Sequence, residues 1–573
     1  MKEKIFKFLK SKTLFAFMFN VAIMTICIIV TSFSFESSDD FLNSVNICQN
    51  HFYYSSSINY ILAVIVGSAQ YAFGDFNCYV LAQILLSCSV FTAITFVFAD
   101  KFNKKIAFGF SAIINILFSL YHYQNINGNR TSALLLTAGF LLVLNAIRNK
   151  RYNLPCWIGV AMIAFGSFYN YIYYFIALGF AVAFFFGDLI SKKKFKLPFR
   201  KFFWYFRPFL LMFLLVTVVV FGLNRFSYSV NHATEEATRY YNYSYLQNSI
   251  NNNLPYPSFE DNAEKFADVG IDTEGDYELL KSGYYDSEKA LNLDALQTVY
   301  DIQKEDKSNT FLTSFADIFT DNCHHFTSFD CEAFIMLTFT GLGILFVVYQ
   351  KNRFGFFPIF YVAAGLISST LLRYFYSGAN YFLYGIWFLM LVLLFYSLNF
   401  EKGRTKQMPK LLKIKHGNFI ITLAIIVCLG AGYISVYTVH NSNDKEEVVP
   451  QSLISEIERN PHKYYVFDTE TVIELYRFSE NYMHPLWGFR DGYLDNVDSF
   501  GYFHNTENLV KRNMPTNIYE AVLTNKEIYV IDKNDVDIKE QYFTNNYTRN
   551  GHKVIYKLLN KIDNYCIYNV IVE

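Results

Sequence analysis

Long uncharged apolar runs recur through the first 440 residues of this 573-residue chain, and no other feature constrains its fold as strongly. A helix needs about 20 such residues to cross roughly 30 Å of hydrocarbon. Helices and closed barrels alone satisfy their backbone polar groups inside lipid. The pattern places helical spans at 13–34, 79–99, 106–121, 132–147, 156–170, 172–190, 205–224, 333–349, 355–371, 380–399 and 418–438, the third to fifth being short with soft edges. The first run begins basic, as a signal peptide does. No small-residue cleavage site follows in TSFSFESSDDF, so it reads as a retained span. Mean hydropathy is only +0.18 although 53% of residues are hydrophobic, so a large polar portion must dilute the spans.

Basic residues in short loops favour the cytoplasmic side. The segments MKEKIFKFLKSK, DKFNKK, RNKR, SKKKFKLPFRK, QKNR and EKGRTKQMPKLLKIK should therefore share that side. Counting the run at 58–73 as a crossing would separate the N-terminal lysines from all the others. It reads instead as a helix in or on the outer leaflet. The expected fold is an α-helical polytopic protein of the plasma membrane, with about eleven spans, the N-terminus cytoplasmic and the C-terminus outside. Residues 1–224 form an N-terminal transmembrane module with a first outer loop at 34–78. Residues 225–331 form an acidic insert of short helices outside the membrane, and 332–439 carry the remaining spans. Residues 440–573 form a small extracytoplasmic α/β domain. In it KYYVFD, EIYVID, KVIYKLL and NYCIYNVIV read as strands, and ETVIELYRFSE and TNIYEAVL as helices.

The formal net charge is zero and no domain carries a sustained basic face, which argues against nucleic acid as a partner. No Walker loop, dinucleotide fingerprint or HExxH motif occurs. The spans are nearly free of the ionisable groups that ion-coupled transport uses. Nine cysteines lack CxxC spacing. Cys323 with Cys331, and Cys48 with Cys78, could each form a disulfide or remain buried thiols. Asp321, Cys323, His324 and His325 look like a ligand cluster, yet adjacent histidines point in different directions on most backbones.

The densest chemistry lies in FESSDDF, directly after the first span. Glu36, Asp39 and Asp40 put three carboxylates together with no basic neighbour. Like charges this close raise one another's pKa, and a low-dielectric interface adds to the effect. Such a cluster suits a general base or a divalent-cation site; the plainer reading is an acidic juxtamembrane loop. In the insert, TRYYNYSYLQNSINNNLPYP interleaves Tyr and Asn between Arg225 and later acidic helices, with Arg239 inside it. Aromatic faces beside amides suit sugar recognition; a solvated helical cap is the blander alternative.

A carboxylate pair after the first span, an outer-leaflet helix, many spans and a C-terminal soluble domain resemble the GT-C superfamily of integral membrane glycosyltransferases. The likeness is greatest to bacterial members of surface-polysaccharide loci, of the O-antigen glucosyltransferase type. It covers the whole architecture, but its one sharp motif is Asp39-Asp40. The resemblance implies a polyprenyl-phosphate-linked sugar as donor, a glycan or other surface acceptor, and an inverting transfer with Asp39 as catalytic base. Asp40 would then be its partner or a metal ligand, with Mg or Mn as the possible divalent cation.

The leaving group would be a phosphate, which calls for positive charge. Arg373, in TLLRYFYSGAN, is one candidate, since guanidinium binds phosphate oxygens bidentately; an arginine snorkelling to the interface is the alternative. Arg130, in YHYQNINGNRTS, is a second. Many family members carry another acidic residue in that loop and this chain has none. His122, Gln124 or Asn127 would have to substitute there, with Glu36, as acceptor or metal contacts, which puts metal dependence in doubt. Two other classes of function stay open: a polysaccharide polymerase or ligase, and a transporter or flippase of lipid-linked glycan.

Overall fold

The computed structural model describes residues 11–30, 34–35, 38–48, 51–74, 76–191, 198–252, 255–309, 315–320, 357–375, 380–397, 451–468, 471–472, 475, 495–502, 506–533, 536–548 and 552–573. The protein is mostly helical, with a small C-terminal sheet. Its apolar part begins with α1 (Lys12–Val30), a two-residue strand β1 (Ser34–Phe35), α2 (Ser38–Cys48), α3 (Tyr60–Ala72) and α4 (Cys78–Lys101). Next come α5 (Lys104–Ile114), a π-turn (Asn115–Ser119), α6 (Leu120–Gln124), β2 (Asn125–Ile126), α7 (Gly128–Asn149), α8 (Leu154–Tyr169), α9 (Tyr171–Ser191) and α10 (Phe199–Asn231).

Among the described residues five helices are long and apolar enough to cross a membrane: Lys12–Ile29, Cys78–Lys101, Ile106–Gln124, Gly128–Asn149 and Phe206–Asn231. The expected spans at 156–170, 172–190, 355–371 and 380–399 also fall on helices, whereas those at 333–349 and 418–438 lie outside the described residues. The run at 58–73 forms α3. Its 13 residues measure about 20 Å at 1.5 Å per residue, short of a bilayer's hydrocarbon.

α7 is the hub, buried along nearly its whole length and enclosed by α4, α8, α9 and the later helix Asn380–Ser397. α8 approaches it closely because Gly139 and Gly159 face each other. A Cβ on Gly139 would meet the Gly159 carbonyl at 2.7 Å, so small residues let the two backbones touch. α1 and α10 instead expose Phe17, Ile26, Ile29, Leu214, Val218 and Phe221, an outward apolar surface suited to lipid.

Two expectations need correction. The third span is not one regular helix. Asn115 donates from Nδ2 to Ser111 O and Asn20 Oδ1 (2.8 and 3.0 Å), and the π-turn begins at that residue. The seventh helix does not stop at 224 but runs on to Asn231, so the start of the polar insert moves beyond its expected position at 225.

The insert contains α11 (Glu235–Asn252), α12 (Ala263–Ala267), α13 (Glu274–Lys281) and α14 (Leu293–Asn309), helical as the sequence suggests. After α15 (Phe357–Phe375) and α16 (Asn380–Ser397), the last domain runs α17 (Gln451–Arg459), β3 (Tyr464–Phe467), β4 (Val497–Ser499), α18 (Thr506–Lys511), α19 (Ile518–Thr524), β5 (Ile528–Asp532), α20 (Asp537–Tyr547), β6 (Val554–Ile562) and β7 (Tyr565–Val572). The sheet order is β4-β3-β5-β7-β6, with β4, β3 and β5 parallel and the β6–β7 hairpin antiparallel. The four expected strands are all present. β4 was missed because it is three residues long, and ETVIELYRFSE lies largely outside the described residues.

Insert and sheet domain share one apolar core, in which Phe266 and Tyr277 join Phe500, Tyr519 and Phe543. The Tyr285 N–H donates to Phe500 O at 3.0 Å. Both regions meet the bundle at the end where α4 and α7 begin. There Asn46 donates to the Tyr240 hydroxyl (2.8 Å), and the Ser56 and Ser244 hydroxyls pair at 2.6 Å. The bundle's other end gathers basic residues. Lys12 pairs with Asp100 at 3.1 Å, Lys101 donates to Tyr396 O, and Arg148 lies over the Tyr396 ring.

Candidate functional site

The Asp39-Asp40 pair opens α2. Carboxylates in a first helical turn are favoured by the helix dipole. α2 is fixed from beneath by Asn77, the N-cap of α4. Asn77 Oδ1 accepts the Tyr79 and Val80 N–H groups, while Nδ2 donates to Ser44 Oγ at 2.7 Å. The segment ahead of α2 is held by β1, which pairs in parallel with β2, Ser34 opposite Asn125 and Phe35 opposite Ile126. A four-residue ladder thus brings the first loop against the connection that carries His122, Gln124 and Arg130.

Adjacent positions on a helix point about 100° apart, and the two aspartates meet different surroundings. Asp40 is buried. Its Oδ1 accepts from the Tyr79 hydroxyl (2.6 Å), the Gly128 N–H (2.9 Å) and Gln83 Nε2 (3.4 Å). The Gly128 N–H is the first of α7, so the dipole of a 22-residue helix also points at this carboxylate. Gly128 has to be glycine: a Cβ there would sit 2.9 Å from Asp40 Oδ1 and 3.0 Å from Tyr169 Cδ1. Gln83 is itself oriented by Thr131, which donates to its Oε1 at 2.9 Å.

Asp39 accepts no hydrogen bond from the described residues. It keeps a partly open surface while protein packs densely around it, as on the floor of a crevice. Burial, with the Asp40 charge adding to it, pushes its carboxyl up to about 7. Its electrostatic neighbours include Tyr240 of the insert, whose own phenol is pushed up by burial.

Around the start of α7 lies a second set of polar groups. The Ser87 hydroxyl donates to Gln83 O (2.7 Å) and has only one proton. At 2.5 Å, His122 Nε2 must therefore be the donor to Ser87 Oγ, which leaves Nδ1 free. His122 Nδ1, Gln124 Oε1, Asn127 Nδ2 and the Tyr169 hydroxyl are all buried without a partner. An unmet buried polar group costs about 1–3 kcal/mol, so these four groups mark a polar patch inside the apolar bundle. Arg130 is buried. It donates from Nη2 to the Tyr121 hydroxyl (2.9 Å), its guanidinium lying 4.1 Å over that ring.

The structure thus gathers Asp39, Asp40, His122, Gln124, Asn127 and Arg130 at one end of the bundle. Glu36, the side chain of Arg373, and the Asp321, Cys323, His324, His325 and Cys331 group lie outside the described residues. Asn170 proves to be a cap: its Oδ1 accepts the Ile172 and Tyr173 N–H groups, and its Nδ2 donates to Asn129. Cys48 and Cys78 are free buried thiols, so the disulfide considered for them is not formed. Arg225 stands over the Tyr228 ring on α10, and Arg239 pairs with Glu235 at 3.1 Å. Among the described residues no three His, Cys, Asp or Glu side chains converge on a metal-sized point.

Sequence reasoning missed Asn77, Tyr79, Gln83 and Gly128, which position Asp40. Gln83 carried a usable signal, as a lone amide inside the apolar run CYVLAQILL. No family model, curated protein or solved structure matches the chain.

Proposed function

We propose that this protein is an integral membrane glycosyltransferase. It would move a sugar from a polyprenyl-phosphate carrier to a glycan or other acceptor at the outer face of the cell membrane. The observation that carries this reading is the asymmetry of the aspartates. Asp40 accepts three hydrogen bonds at its Oδ1, whereas Asp39 is partly exposed, accepts none from the described residues and has its carboxyl pushed up to about 7. A general base works best with its pKa close to ambient pH. Asp39 would take the proton of the acceptor hydroxyl as its oxygen bonds to the anomeric carbon. The anomeric carbon–phosphate oxygen bond breaks on the opposite face, so configuration inverts and the phosphate leaves on its carrier.

Positive charge must meet that phosphate; Arg373 and Arg130 are the candidates, and Arg130 is the one whose side chain is described, in the first turn of α7. A divalent cation, if used, would stabilise the same departing charge, with Asp40, Glu36, His122 and Gln124 as the candidate contacts, although no metal-sized group forms among the described residues. Gathering of Lys12, Lys101 and Arg148 at the far end of the bundle supports a cytoplasmic placement for that end. The aspartates, insert and sheet domain would then lie outside. Completing eleven spans requires helices at 333–349 and 418–438.

The test is a transfer assay on purified protein with radiolabelled polyprenyl-phosphate sugars, comparing wild type with Asp39→Asn, with and without chelator. Label reaching an acceptor only with wild type supports the reading, and chelator sensitivity would assign a metal. Retained transfer by Asp39→Asn removes Asp39 as the base. No turnover of any donor by folded protein moves the weight to a polymerase, a ligase or a flippase.

A further inference from the structure

A cleft of about 310 Å³ opens between the insert and the sheet domain. Its walls include Glu236 and Arg239 of α11, Tyr285 and Glu288 from the loop after α13, and Tyr502 and Asn517 of the sheet domain. We propose that this cleft binds an uncharged saccharide, the acceptor chain of the transfer reaction. The proposal rests on the glycosyltransferase reading and adds to it a binding place and a class of acceptor.

The wall chemistry selects the ligand. Tyr502 sits among Tyr240, Tyr243 and Tyr285, with ring centroids 5.1, 4.9 and 4.9 Å away. Aromatic faces of this kind pack on the C–H face of a sugar ring. Glu236 and Glu288 are exposed carboxylates that can accept hydroxyl protons in charge-assisted bonds. Arg239 supplies donors but already faces Glu235. With Asp286 also in the wall, carboxylates outnumber the single guanidinium. A phosphate or uronate would meet net repulsion, while a neutral polyol would not. The volume falls at the small end of ligand sites, enough for a short run of sugar rings and too little for a folded partner.

The wall is also rigid and correctly placed. Buried Asp286 accepts from the Tyr542 and Tyr547 hydroxyls and from the Glu288 N–H, tying the insert loop to α20. Tyr240, packed on Tyr502, is bonded to Asn46 of α2, and the first turn of α2 carries Asp39. The cleft wall therefore continues, through one aromatic contact and one hydrogen bond, into the helix that holds the base.

The experiment measures binding to the full-length protein in nanodiscs by calorimetry. Probes are maltohexaose, cellohexaose and chitohexaose, with hexagalacturonate as the anionic comparison. Ser287→Trp fills the cleft from an exposed position, Tyr502→Ala removes the central ring, and Asp39→Asn is the control. Expected is binding of at least one neutral hexasaccharide, weakened roughly tenfold or more by Ser287→Trp and by Tyr502→Ala. Asp39→Asn should leave affinity unchanged, and the uronate should not bind. Absence of binding by all three neutral probes overturns the proposal, as does affinity indifferent to Ser287→Trp, or preference for the uronate. Transfer that needs Asp39 yet is untouched by Ser287→Trp would sink the cleft and spare the enzyme reading. Cleft-dependent binding without transfer of any donor would do the reverse.

Discussion

Buried carboxylates occur in two regions of this molecule, and they are treated differently. In the sheet domain, Asp532 at the end of β5 meets the ammonium of Lys539. Close by, Asp286 accepts from two tyrosine hydroxyls and a backbone N–H; burial still pushes its carboxyl up while those hydrogen bonds pull it back. At the head of the bundle, Asp40 is likewise met by three donors. Asp39 beside it has none among the described residues, and has Asp40's charge as a neighbour. Where a carboxylate serves the fold, the surroundings supply protons or charge to balance it. Where one is left crowded and without a bond from the described residues, its carboxyl is pushed up, and the proposed proton-transfer role is one that such a group could fill.

The sharpest way to break this contrast is Asp39→Asn. Loss of a general base should lower the transfer rate about 10²- to 10⁴-fold, with the thermal unfolding midpoint unchanged. A midpoint that falls along with the rate would place Asp39 among the structural carboxylates. On the other side, Lys539→Met removes the ammonium that meets Asp532 and should cost about 3–5 kcal/mol in unfolding experiments. Adding Asp532→Leu should restore part of that loss, since the buried carboxylate facing position 539 is then gone as well.

A smaller effect is expected at Gly128→Ala, where the new Cβ would crowd Asp40 Oδ1 at 2.9 Å. A cost of about 1–3 kcal/mol, read as a lower unfolding midpoint, follows from overpacking. The finest test is the pH dependence of kcat/KM. As the proposed base, Asp39 would work in its ionised form, and burial pushes its carboxyl up to about 7. The rate should therefore fall about tenfold per pH unit below 7 and level off above it. In Asp40→Asn the amide oxygen can still accept from Tyr79, Gly128 and Gln83, but the neighbouring charge is gone. Asp39 then ionises at lower pH, and the acid limb of the profile should move to lower pH with little change in stability. An unmoved limb would detach the titration from Asp39.

Much of the architecture was legible because its cause is local. Apolar runs in α1, α4, α7 and α10 are long enough to specify helices by composition, and short runs rich in Tyr, Val and Ile marked β3, β5, β6 and β7 as strands. The first loop stood out because FESSDDF concentrates charge beside an apolar run. Among the described residues, Lys12, Lys101 and Arg148, from three of the basic segments, lie at one end of the bundle. Features with non-local causes were not legible. The π-turn begins at Asn115, which bonds Asn20 on another helix. Cys48 lies in the first outer loop and Cys78 at its edge, yet both remain thiols.

By itself, then, the sequence determined that the chain is mostly helical, with apolar helices suited to a membrane and a small C-terminal sheet. Hydrophobic run length and charge placement are one-dimensional properties. It could not distinguish Asp39 from Asp40, which are the same residue type at neighbouring positions. Only the tertiary structure decided between them. It brings the Tyr79 hydroxyl and the first N–H of α7 to one carboxylate and only protein bulk and like charge to the other. A side chain's proton affinity is set by the groups packed around it in space, and those come from helices tens of residues away along the chain.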